Sequence, residues 1–178
     1  MHNSMNNIAF KLMAFGFSFR DLLLPRRDVL NEVGIKPGFY VLDYGCGPGS
    51  YSIIAAEMVG MAGKIYALDI HPLALRQVGN VASKKQLANI ETIHSDCATG
   101  LPDDSIDVVL LYDVFHALSD PDGVLKELHR VLKPAGILSF SDHHLKEGEI
   151  LSKVTDSGLF RLSAKGKKTY SFLKGQSP

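Results

Sequence analysis

The sequence predicts an α/β domain in which a parallel sheet is covered by helices on both faces. From Pro37 onward, short apolar segments alternate with helical stripes, and that alternation calls for parallel strands joined by crossover helices. The first strand, Val41-Leu42-Asp43-Tyr44, also runs straight into glycines at 45, 47 and 49 and then into a helix. A third observation is the set of acids at the strand ends, among them Asp43, Asp69 and Asp113.

The elements follow in order. Strands are expected at 39–44, 64–69, 90–94, 106–111 and 136–142, with helices at 50–59, 72–86, 121–132 and 147–157. Asp120-Pro121 starts a helix well, with a capping side chain followed by proline in the first turn. Val124, Leu125, Leu128, Val131 and Leu132 make its apolar stripe, and Pro134 with Gly136 stops it. The tail, 159–163 and 168–173 around Lys165-Gly166-Lys167, reads as a β-hairpin. Ahead of the sheet, Ile8, Leu12, Phe15, Phe19 and Leu22 recur at helical spacing while Phe10, Met13 and Phe17 fall on other faces. Such a helix needs cover on more than one side. The division expected is an N-terminal helical lid or cap segment at 1–35 and the α/β domain at 36–178.

Composition narrows the function. The 178 residues suit one domain, and 46% hydrophobic with 21% charged residues is ordinary for a soluble globular chain. Nineteen basic and nineteen acidic residues cancel, which removes a global drive toward nucleic acid. Cys46 and Cys97 are the only cysteines. Both lie in candidate ligand motifs, so they read as small apolar linings in a reducing, cytoplasmic compartment. No segment reaches the roughly 18 uninterrupted apolar residues of a membrane span. Nor does a cleavage site follow the apolar stretch from Ile8 to Phe19, so no signal peptide is expected.

The glycine loop is built for a ligand. Gly45, Gly47 and Gly49 leave one side of the turn without Cβ atoms, so backbone can approach a bound molecule at positive φ. Asp43 is expected to aim at this loop. Asp69, 22 residues after Gly47, closes the next strand, where a carboxylate can accept from both ribose hydroxyls of an adenosine. A dinucleotide fingerprint would place glycine at position 50, which is serine here, and Asp43 would repel a pyrophosphate. A cofactor with a cationic end, S-adenosylmethionine, suits the acids better.

These residues resemble the first motif of the class I S-adenosylmethionine-dependent methyltransferases, and later motifs arrive in that family's order. Asp69 matches the ribose-binding acid. Ser95-Asp96-Cys97 resembles the site that holds the adenine edge. Ile106 to Asp113 is similar to the fourth strand with its active-site end, and Leu128 to Phe140 to the junction before the fifth. The likeness covers roughly 36–175 and is strongest to the small-molecule subgroup that includes quinone-biosynthesis enzymes.

The resemblance implies a Rossmann-like, seven-stranded, mostly parallel sheet of order 3-2-1-4-5-7-6, with helices on both faces and one antiparallel strand. It implies in-line methyl transfer to a small, lipophilic or bulky acceptor. The alternatives are a relative that binds the cofactor without transfer, and an NAD-dependent oxidoreductase. Cofactor contacts are expected from Asp43, Tyr44, Gly45, Cys46, Gly47, Gly49, Tyr51, Asp69, Ile70, Asp96, Cys97 and Tyr112.

In open parallel sheets the ligand lies outside the carboxyl ends of the strands at the switch point. Asp113, His116 and His143 are therefore the catalytic candidates. No metal is expected, because His143 and His144, adjacent on a strand, would point to opposite faces. His71 is expected near the adenine rim, with His94 and His129 as ordinary structural residues. The N-terminal segment is expected as a lid, a dimer contact or, through Arg26 and Arg27, a peripheral membrane contact. Monomer and homodimer are both open.

Overall fold

The computed structural model describes residues 26–175. The apolar N-terminal stretch expected as a lid lies outside the described residues. Helix α1 (Arg26–Val33) leads into β1 (Tyr40–Tyr44), α2 (Ser50–Val59), β2 (Lys64–Asp69), α3 (Pro72–Lys84) and β3 (Ile90–His94). Then come β4 (Ile106–Tyr112), a short 3₁₀ turn (Phe115–Ala117), α4 (Pro121–Val131), β5 (Leu132–Ser141), α5 (Glu147–Thr155), β6 (Phe160–Lys165) and β7 (Tyr170–Lys174).

The strands form one sheet of order β3-β2-β1-β4-β5-β7-β6, as expected. All pairs from β3 to β5 are parallel, and β7 runs antiparallel to both of its neighbours. The chain winds outward from β1 to β3 and then restarts beside β1 as β4. The switch point therefore lies between β1 and β4.

Period-two side-chain alternation sorts the core into two layers. Val41, Ile65, Val108 and Leu110 face α1 and α2, where Val29, Leu30, Val33, Ala55 and Ala56 cover them. Leu42, Leu68, Val109 and Leu111 face the other way, against Val124, Leu125 and Leu128 of α4 and Ile150 and Val154 of α5. Each fully buried aliphatic side chain is worth roughly 1.5–3 kcal/mol, so the apolar stripe of α1 anchors it firmly. The described part of the 1–35 segment is thus packed into the core of the domain.

One local detail departs from expectation. Helix α4 ends at Val131, and β5 starts at once, with Pro134 and Gly136 inside it. The β4 register shifts between Ile106 and Val108 to absorb those residues. Gly136 is required there, because a Cβ would lie 3.0 Å from the Ile106 carbonyl oxygen. At the far edge, the Glu32 carboxylate accepts from the Lys167 and Lys168 N–H groups, both at 3.2 Å, and from Thr169 Oγ at 3.0 Å. That contact ties α1 to the turn between β6 and β7.

Candidate active site

The loop from β1 to α2 takes its shape from three left-handed glycines, Gly45, Gly47 and Gly49, with φ of 73°, 52° and 87°. Their surroundings differ. A Cβ on Gly45 would meet Val114 Cγ2 at 2.7 Å and one on Gly49 would meet Val78 Cγ2 at 2.7 Å, whereas one on Gly47 meets nothing within 4 Å. Two of the three glycines therefore let protein pack closely against the loop. Gly47 alone of them turns its bare side to open space.

Asp69 stands at the edge of that space. Its Oδ2 accepts from the Gly47 N–H and its Oδ1 from the His71 N–H, both at 2.8 Å. The carboxylate is thereby oriented by the loop on one side and the start of α3 on the other. Ile70, next in sequence, is 62% exposed, unusual for an isoleucine beside a concave turn. His71 caps α3, its Nδ1 accepting from the Leu73 N–H at 3.3 Å.

Asp43 lies behind the loop and is 3% exposed. Ser52 Oγ donates to its Oδ2 at 2.5 Å. Burial pushes this carboxyl up to about 6, helped by the charge of Asp69 and opposed by the Ser52 hydrogen bonds and by Arg26. Arg26 itself is buried, with its guanidinium 4.7 Å from the Tyr51 ring centre. That placement removes it from the membrane contact expected of Arg26 and Arg27, because its charge faces the protein.

Several other expected contacts sit deeper than the sequence suggested. The Tyr44 hydroxyl donates to the Asp96 carbonyl at 2.6 Å, and the Tyr112 hydroxyl shares a hydrogen bond with Ser139 Oγ at 2.7 Å. Both rings are buried, and burial raises both phenols. Tyr51 packs edge-on against Tyr112 at 4.8 Å between ring centres. Cys46 is buried with its thiol pushed up by burial, and the Cys97 thiol is raised by the same cause. The Cys97 N–H donates to Ser95 Oγ at 3.2 Å, and the Asp96 side chain is exposed at the end of β3.

A second cluster of side chains is built on the ends of β4 and β5. Asp113 has φ of 53°, and its carboxylate accepts from the His143 N–H at 3.1 Å and contacts His143 Nδ1 at 2.7 Å. Asp142 is buried, bound by His116 Nδ1 at 2.9 Å, by the His116 N–H at 3.0 Å and by the His144 N–H at 3.0 Å. Burial alone would raise Asp142, but these hydrogen bonds and the charge of His116 bring its carboxyl below the usual value.

The expectation that His143 and His144 face opposite ways fails. Their ring centres lie 3.9 Å apart, because β5 ends at Ser141 and both residues belong to the turn after it. Donor atoms of Asp113, Asp142 and His143 fall within 4.8 Å of one another, and the hydrogen bonds just described already engage all three. Ser52 was not expected at the site, and Asp142, expected only as a residue at the end of strand five, turns out to be the buried partner of His116. An acid directly before two histidines at a strand end was the available signal for Asp142; Ser52 had none.

Comparison with known proteins places this geometry in context. The family model described as methyltransferase domain matches residues 35–174. The demethylmenaquinone methyltransferase of Geobacillus stearothermophilus is 34% identical over 140 residues, covering 77% of this chain and 60% of that protein. The ubiquinone/menaquinone biosynthesis C-methyltransferase UbiE of a Marinomonas species is 30% identical over 140 residues, covering 77% and 55%. The chain thus spans little more than half the length of these relatives. Among solved structures, a SAM-dependent methyltransferase from Aquifex aeolicus superposes with a TM-score of 0.76 at 29% identity, covering 87% of this chain and 91% of that one. None of the helices among the described residues is long and apolar enough to cross a membrane.

Proposed function

Because the chain belongs to the methyltransferase domain family, we propose that it transfers a methyl group from S-adenosylmethionine to a small-molecule acceptor. One observation carries the cofactor half of this reading. Beside the oriented Asp69 carboxylate, Gly47 faces open space where a Cβ would project, and the apolar side chain of Ile70 stands exposed next to it. A ribose on Asp69 would bring the cofactor against the Gly47 backbone, and an adenine ring would cover Ile70. Each Asp69 oxygen accepts one N–H and keeps acceptor capacity for a ribose hydroxyl. Asp43 and Asp69 together make the loop negative, which suits an ammonium and a sulfonium.

When bound, S-adenosylmethionine supplies a methyl group on a cationic sulfur that is already an excellent leaving group. The residues of the chain then have to align the acceptor and exclude water. Asp113 and His116 follow β4, which borders the switch point, and His143 follows the neighbouring β5, so all three stand at the strand ends where the acceptor would lie. The names of the relatives support a reduced quinone or a similar ring as that acceptor. Both cysteines are free thiols, in keeping with a reducing cytoplasmic setting.

Calorimetry on the full chain tests the reading. Micromolar S-adenosylmethionine binding is expected, weakened at least 30-fold by Asp69→Ala. Absence of binding, or a preference for NAD, would overturn it.

A further inference from the structure

Five ionisable side chains form one continuous row at the ends of β4 and β5. Asp142 binds His116; the His116 and His144 ring centres lie 4.0 Å apart; His144 and His143 follow at 3.9 Å; Asp113 binds His143. The row thus holds two aspartate–histidine pairs, and they differ in burial. The Asp142 side chain is wholly buried and His116 is 31% exposed, whereas Asp113 is 22% and His143 59% exposed.

Burial decides which pair is fit for proton transfer. His116 Nδ1 faces both oxygens of Asp142, at 2.9 and 3.1 Å. A carboxylate only accepts, so the neutral imidazole must carry its proton on Nδ1 and present a bare lone pair at Nε2 on the opposite edge. The Asp142 carboxylate is itself fixed by the His116 and His144 backbone N–H groups. Imidazole, tautomer and orienting acid are therefore set before any ligand arrives. Water screens the more exposed His143–Asp113 contact, which holds its ring less strictly.

Resting on the methyl-transfer reading, we propose that His116, positioned by Asp142, is the general base of this site. The acceptor is then a group that must lose a proton as it attacks: a phenol, a hydroquinone, an enol or a carbon acid. An acceptor such as a thioether, with no proton to lose, would have no use for the pair. At a heteroatom the X–H proton passes to His116 Nε2 and the freed pair forms the bond from X to the methyl carbon; at a hydroquinone or enol carbon the O–H proton passes to Nε2, the freed pair makes the enolate carbonyl, the displaced π pair bonds carbon to the methyl, and that carbon's own proton is then lost to restore the ring. The pair of the breaking sulfur–carbon bond stays on sulfur, which becomes a neutral thioether. The imidazolium then releases its proton to water. The groups facing His116 are Asp142 and His144 from the turn after β5, with His143 and Asp113 next along the row.

The test uses the full chain, S-adenosylmethionine and short-tailed reduced demethylmenaquinone as the probe acceptor. His116→Gln should lower kcat at least 100-fold, remove the acid limb of the kcat/KM profile, and leave S-adenosylmethionine affinity within threefold. Asp142→Asn should lower kcat at least 30-fold. Nitrogen-15 NMR of the wild type with S-adenosylhomocysteine should show the neutral His116 proton on Nδ1, moved to Nε2 in Asp142→Asn. Retention of a third of the rate in His116→Gln, a larger loss in His143→Gln, or an Nε2 proton in the wild type would overturn the assignment. The NMR result judges His116 even with an acceptor that is not turned over. Loss of S-adenosylmethionine binding by the wild type would instead overturn the methyl-transfer reading.

Discussion

Replacing Asp43 with asparagine should take a pH dependence out of folding. Burial lifts this carboxyl from 3.8 to about 6, against the Ser52 hydrogen bond and with the help of Asp69. The folded chain therefore binds this proton more tightly than the unfolded chain does. Its contribution favours folding at low pH and is lost as pH rises from about 4 through about 6. The gap corresponds to about 3 kcal/mol, and roughly half of that falls between pH 5 and pH 8. Urea unfolding of wild type and Asp43→Asn at pH 5, 6, 7 and 8 isolates the effect, since other titrating groups cancel in the difference. The variant should gain about 1–2 kcal/mol relative to wild type across that range. The same linkage predicts that S-adenosylmethionine, as a cation, binds wild type more tightly as pH rises through about 6, and that this trend disappears in the variant. Stability curves that run parallel to within about 0.5 kcal/mol would refute the buried-charge account.

Two further substitutions separate roles inside the domain. Gly49→Ala should cost about 2 kcal/mol or more, because its Cβ would lie 2.7 Å from Val78 Cγ2 at φ 87°. Gly47→Ala meets no neighbour within 4 Å and should lose only about 1 kcal/mol to backbone strain, while weakening S-adenosylmethionine at least tenfold. Thermal melts beside calorimetry check this pair, and normal binding in Gly47→Ala would remove Gly47 from the ligand surface. Glu127 accepts from Thr99 at 2.6 Å and from Arg130 at 2.7 Å, and the Arg130 hydrogen bond foremost lowers its carboxyl to about 2. Its stabilisation of about 2–3 kcal/mol is present above about 4.5 and fades as pH falls through about 2. Glu127→Gln should flatten that acid limb in unfolding measurements, and an unchanged limb would count against it.

Local chemistry made much of this protein legible in the chain itself. Apolar runs of strand length, the stripe of α4, the Asp120 cap donated to by the Gly123 N–H, and the glycine loop between strand and helix are short-range patterns. Each constrains backbone within a few residues, so each can be read without knowing the fold. Side-chain facing inside β4 followed as well, since alternation puts Val109 and Leu111 on one layer and Leu110 on the other.

Contacts between strand ends were decided only by tertiary structure. His116 and Asp142 stand 26 residues apart and meet because β4 and β5 pair in parallel, with Tyr112 opposite Ser141. No periodicity encodes that meeting. Where a strand stops is equally non-local: β5 releases the chain at Ser141, so His143 and His144 stack in a turn when a longer strand would have sent them to opposite faces. The loop glycines make the same point. Their spacing marked a turn, but only the packing of Val114 and Val78 assigned two of them to the protein and left Gly47 facing open space. Sequence determined the conformations the chain takes locally, and the register of distant strands determined which of its reactive groups share a site.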